Sequence, residues 1–198
     1  MAYIIAGLGN PGEEYKNTRH NAGRMVLEAF HVKNELEDWK ENKKSLALIS
    51  KGMVGKQKVT LVMPETFMNK SGESVKTLVK SVKVAEKLIV VHDDLDLPVG
   101  TLKVSFNRSS GGHKGVESII KAIKTEKFAR IRIGISQESA KGGVKKPSHE
   151  NIIENFIVND FKPAELAEVK KVVKRASEAV EMIVNEGIEK AMGEFNRR

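Results

Sequence analysis

The chain has 198 residues, 40% apolar and 30% charged, an ordinary globular composition that suits one domain with a sizeable core. It has no cysteine, which excludes disulfides, thiolate catalysis and cysteine-ligated zinc. No apolar run is long enough to cross a membrane and no basic-then-apolar leader opens the chain, so a cytoplasmic protein is expected. Lysine and arginine number 34 against 26 acidic residues, a formal net charge of +8, so a polyanionic partner, nucleic acid first, stands beside a merely lysine-rich surface.

The run Tyr3-Ile4-Ile5-Ala6 predicts a buried strand, and Gly7, Gly9 and Gly12 predict the loop leaving its C-terminal end. Pro11 fixes its own backbone and pushes Asn10 toward an extended conformation, so the Asn10 side chain should point one way. Tyr15, Arg19, His20 and Asn21 follow; ligands of open α/β sheets bind at the C-terminal ends of strands, which makes this loop a site candidate. Residues 22–38 space Met25, Val26, Ala29, Phe30 and Val32 as an amphipathic helix. Residues 35–44 are a charge-rich connector whose Trp39 is expected to pack half-buried on the core. Residues 45–51 and 57–63 predict a hairpin, with its turn across Gly52 to Gly55.

Pro64 ends that hairpin, and residues 71–84 predict a helix. Residues 87–92 predict a buried strand ending in His92-Asp93-Asp94-Leu95-Asp96, and residues 101–106 a half-exposed one. Residues 107–115 form a second Gly-rich loop, opening a helix at 115–124. Residues 130–135 alternate as a strand with Arg130 and Arg132 on one face. Residues 137–151, with Lys141, Lys145 and Lys146, predict a mobile basic loop, and residues 163–195 one long C-terminal helix. Alternating strands and helices predict a single α/β domain over residues 1–198, with a mixed twisted sheet flanked by α-helices.

Three chemistries compete for the polar segments. Gly7, Gly9 and Gly12 match the dinucleotide fingerprint GxGxxG, but Pro11 interrupts it and no second strand with an acidic ribose ligand follows at the right distance. His92, Asp93, Asp94 and Asp96 could bind Mg²⁺, or Asp94 and Asp96 could cap a turn. His20 suits a general base, because an imidazole titrates near neutrality and a strand-end Asp could orient it to activate water. No GxSxG elbow supports a serine nucleophile. Asn10 and Asn69 could donate to a developing oxyanion.

The segments GLGNPG at 7–12, Tyr15, TRHNAG at 18–23, PETFMNKSG at 64–72, HDDLDLP at 92–98, GGHKG at 111–115 and RIRIGI at 130–135 are together highly specific. In order and spacing the chain resembles bacterial peptidyl-tRNA hydrolases, whose fold agrees with the reading above. The resemblance implies a monomeric esterase without metal or other cofactor that acts on peptidyl-tRNA, with His20 as base, Asp93 as its orienting carboxylate and Asn10 separating N-blocked from free aminoacyl-tRNA. It further implies Asn69 as a substrate-binding amide, Tyr15, Phe67 and Met68 as contacts of the substrate end, and Arg132 on a tRNA-facing surface. Lys114 stands where the family has Asn; near His20 its charge would oppose protonation of the imidazole. Because the family includes RNA-binding splicing factors without activity, Lys114 keeps a non-catalytic RNA binder open as the alternative.

Overall fold

In the computed structural model, residues 1–139, 143–147 and 149–197 are described. Tyr3–Gly7 (β1) is apolar throughout because both faces of this strand are covered. Tyr3 and Ile5 enter the core on one side of the sheet, and Ile4 and Ala6 enter the core on the other. Ala22–Lys33 (α1) covers the first side; it stops at Asn34, and Glu35 takes a positive φ that turns Leu36 into the core. The helix expected to residue 38 is therefore shorter.

Lys40–Asn42 (β2), inside the charged connector, is an exposed edge strand that periodicity does not reveal. Ala47–Val54 (β3) and Gln57–Pro64 (β4) form the predicted hairpin, but its turn is Gly55-Lys56, because Val54 pairs with Gln57 and Gly52 lies inside the strand against Leu36. The single helix expected over 71–84 is two short ones, Ser71–Val75 (α2) and Val82–Ala85 (α3). Ser81 caps the second by accepting from the Val84 N–H at 3.3 Å.

Leu88–Pro98 (β5) runs through the acidic cluster rather than stopping before it. Leu102–Phe106 (β6), Lys114–Ile123 (α4) and Ala129–Glu138 (β7) match expectation closely. The basic segment after β7 contains a small strand, Val144–Lys145 (β8), and leads into Glu150–Val158 (α5), a helix the sequence reading misses. Lys141 lies outside the described residues. The C-terminal helix is Leu166–Glu186 (α6) and Ile188–Phe195 (α7), broken at Gly187 with φ 95°.

The described strands form one eight-stranded sheet of order β2-β3-β4-β1-β5-β7-β6, with β8 beside β7. β4, β1, β5 and β7 are parallel and the outer pairings antiparallel, so the fold is α/β with a mixed sheet, as expected. α1, α6 and α7 cover one face, and α2, α3 and α4 the other. The C-terminal ends of β4 and β1 lie beside β5 near Val91, and the segments carrying Asn10, His20, Met68 and Asp93 meet there.

Candidate active site

Asn10 is fixed by bonds to two other segments. Asn21 Oδ1 accepts from the Asn10 N–H at 2.9 Å, and Asn21 Nδ2 donates to the Asn10 carbonyl at 3.0 Å. Asn10 Oδ1 accepts from the Met68 N–H at 3.0 Å. A backbone N–H can only donate, so the amide orientation is set: Asn10 turns its NH₂ away from Met68, and that group takes no partner among the described residues. The expected rigidity of this loop thus has a cause beyond Pro11, in the side chain of Asn21.

His20 lies in the short 3₁₀ turn Arg19–Asn21 and is buried. Its Nδ1 is 3.0 Å from both oxygens of Asp93, which projects from β5. Nδ1–H therefore donates to the carboxylate and leaves Nε2 with the free lone pair. The turn is anchored from behind by Arg19, which is buried between the rings of Phe156 and Phe161. It bonds the Asp160 carbonyl and pairs with Glu165 at 2.5 Å.

His113 is the residue that sequence reading passes over. It caps α4 with Nδ1, which accepts from the Val116 N–H at 3.2 Å, and its Nε2 is 2.9 Å from Asp93 Oδ1. Asp93 thus bridges two imidazoles. Burial alone would push its carboxyl up, but the electrostatic attraction and hydrogen bonds of the two imidazoles, His20 first and then His113, outweigh that and hold it well below the usual carboxylate range. The available signal was its presence in GGHKG, but a histidine beside two glycines reads as turn chemistry.

Ligand atoms of His20, Asp93 and His113 lie within 4.8 Å of one another, close enough to consider a metal ion. The hydrogen bonds argue otherwise. His113 Nδ1 already accepts, so Nε2 carries the hydrogen and has no lone pair to give. Nor does the strand-end cluster assemble a cation site: Asp94 pairs with Arg132 at 2.5 Å and Asp96 with Lys146 at 2.5 Å. Asp94 Oδ1 also accepts from the Asp96 N–H at 2.7 Å, the turn-capping role considered above.

Met68 is buried beside Gly115, where a Cβ would lie 2.4 Å from its sulfur. Phe67 and Asn69 are exposed on the same segment, and Tyr15 is half-buried on the first loop. Lys114 turns to α5, where its Nζ is 2.7 Å from Glu154. Arg132, in register beside His92, lines a cavity of about 450 Å³ together with Asp94, Ser105, Arg108 and Arg130.

The peptidyl-tRNA hydrolase family model matches residues 4–198. The peptidyl-tRNA hydrolase of Herpetosiphon aurantiacus is 42% identical over 196 residues, covering 98% of this chain and 90% of that protein. That of Carboxydothermus hydrogenoformans is 41% identical over 196 residues, with 98% of each covered. The crystal structure of peptidyl-tRNA hydrolase from Acinetobacter baumannii shares this fold, with a TM-score of 0.87 at 28% identity over 98% of this chain and 94% of that one.

Proposed function

The chain belongs to the peptidyl-tRNA hydrolase family, and we propose that it cleaves the ester between a peptide and the 3′-terminal ribose of its tRNA with a water molecule activated by His20 and Asp93. The contact of His20 Nδ1 with the Asp93 carboxylate carries this reading, because it leaves Nε2 as a base. Nε2 takes a proton from water, the oxygen attacks the ester carbonyl, and the imidazolium returns a proton to the departing ribose oxygen. Asp93 stabilises the imidazolium meanwhile.

Asn10 supplies selectivity through its NH₂. An N-blocked substrate presents an amide carbonyl, which accepts from that group; a free aminoacyl-tRNA presents an ammonium, a donor facing a donor. Asn69, Tyr15, Phe67 and Met68 border the path of the substrate end. Lys114 is a rim contact whose ammonium must leave Glu154 to reach a phosphate.

The tRNA-facing surface is assigned to β6 and β7. Lys103 lies opposite Arg132 in register, and Ser105 opposite Arg130. Arg130 Nε and Ser105 Oγ are buried without a partner among the described residues, beside Arg108, which suits a phosphate. In this reading the enzyme acts as a monomer in the cytoplasm, as the resemblance to the family implies. No described helix is long and apolar enough to cross a membrane.

The test is release of N-acetyl-aminoacyl groups from charged tRNA in the presence of EDTA. The purified protein should release them, and His20→Ala should lose on the order of 10²–10⁴ in kcat while still binding tRNA. Full activity of that variant would overturn the mechanism.

A further inference from the structure

We propose that His113 is a positioning residue for the hydrolysis, holding Asp93 so that the carboxylate meets His20 in one orientation and divides its charge between two imidazoles. The proposal rests on His20 being the base. Its geometry is over-determined. The Val116 N–H fixes the tautomer, so Nε2–H must donate to Asp93 Oδ1. The ring is held edge-on by His92, with centroids 4.6 Å apart, and lies 5.4 Å from the ring of His20. His92 is in turn fixed by its Nδ1, 2.6 Å from the Asp93 carbonyl.

The other charged groups around this centre face elsewhere or act on His92. On β5 and β7, Asp94 is paired with Arg132. Arg130 on β7 acts on His92. Lys114, next to His113, is paired with Glu154 on α5. Among the described residues, Asp93 therefore has His20 and His113 as its side-chain partners. Without the His113 donor, the carboxylate would keep only the shared contact of both its oxygens with His20 Nδ1 and would act on that ring alone. The imidazolium would gain, and an imidazolium cannot take a proton from water. Loss of His113 should thus lower kcat and move the acid limb of the kcat/KM profile to higher pH.

His113 also caps α4, so a merely structural role must be separated. His113→Asn keeps a capping side chain but ends short of Asp93. His113→Gln puts an amide nitrogen near the place of Nε2 and gives up the cap. The experiment measures pH profiles of kcat and kcat/KM, with thermal unfolding, for both variants. His113→Asn should unfold near the wild-type temperature, lose on the order of 10²-fold in kcat and shift its acid limb upward by about one pH unit. His113→Gln should unfold earlier yet recover most of the rate and the wild-type limb. A wild-type profile for the folded His113→Asn, or a His113→Gln that behaves like it, would overturn the proposal. An active His20→Ala would instead overturn the base assignment, whatever the His113 variants do.

Discussion

Asp93 and His92 are neighbours on β5, and the same burial affects them differently. Asp93 keeps its charge because two imidazoles answer it. For His92, burial chiefly, then His113, pushes the imidazole well below its ordinary value, so it stays neutral. Unfolded, the same group titrates near 6.5. Below that pH the unfolded chain binds more protons than the fold, so stability is full above about 6.5 and falls as pH drops through it, by up to about 1.4 kcal/mol per unit. The depressed Asp93 adds no slope there, since its contribution is lost only below about pH 4. His92→Asn, which retains a donor for the Asp93 carbonyl, should flatten the pH dependence between pH 6.5 and 5; urea unfolding at those two values measures it. An unchanged slope would show that His92 is not the group responsible. At this scale His20 and Asn10 were legible as residue types on a polar loop, and Asp93 as one at a strand end. The polarity of the Asn10 amide was not, because the Met68 N–H that sets it is 58 residues away.

Elements bring these residues together by backbone-on-backbone packing. The start of α1 lies directly on the end of β1 and on β5 at Val91: a Cβ on Gly23 would be 2.3 Å from the Val91 carbonyl oxygen and 2.6 Å from the Leu8 nitrogen. Neither backbone can yield cheaply. Gly23→Ala should cost about 1–3 kcal/mol, seen as a fall in Tm of roughly 2–12 °C. Activity should fall with it, because α1 follows directly on the His20 turn. Gly193→Ala on α7, where a Cβ would meet nothing described within 4 Å, is the control and should leave both unchanged or slightly raise Tm. Calorimetry and single-turnover hydrolysis of the pair would decide. The positions of α1, α4 and the C-terminal pair were readable from apolar spacing, whereas helix ends were not. Gly187 breaks the C-terminal helix by its positive φ, and the 71–84 segment is interrupted before the Ser81 cap; period alone carries neither signal. α5 escaped notice because a polar, lysine-rich approach hides its short apolar face.

Across the whole molecule, the excess of basic residues is a long-range term. It predicts that kcat/KM for peptidyl-tRNA falls steeply with salt through KM while kcat changes little. Lys103→Glu with Arg108→Glu, two exposed positions by the β6–β7 cavity, should raise KM by about tenfold or more and make the log–log salt slope shallower by about 1 for each phosphate left without its cation. An unchanged slope would move the tRNA surface elsewhere. Asp94 and Asp96 already pair with Arg132 and Lys146, so the free field of this face is weaker than its count of basic residues implies.

By itself the sequence determined the α/β class, the core strands and the loops that hold the candidate residues, because apolar period and glycine-rich breaks are local properties of the chain. The family's motifs lie along it in order. Only the tertiary structure decided that Asp93 serves two histidines, that Lys114 turns to Glu154, and that the strand-end carboxylates separate into three different partnerships. Each of these joins elements distant along the chain, and a side chain's partner there is set by sheet order and helix packing, which no local pattern encodes.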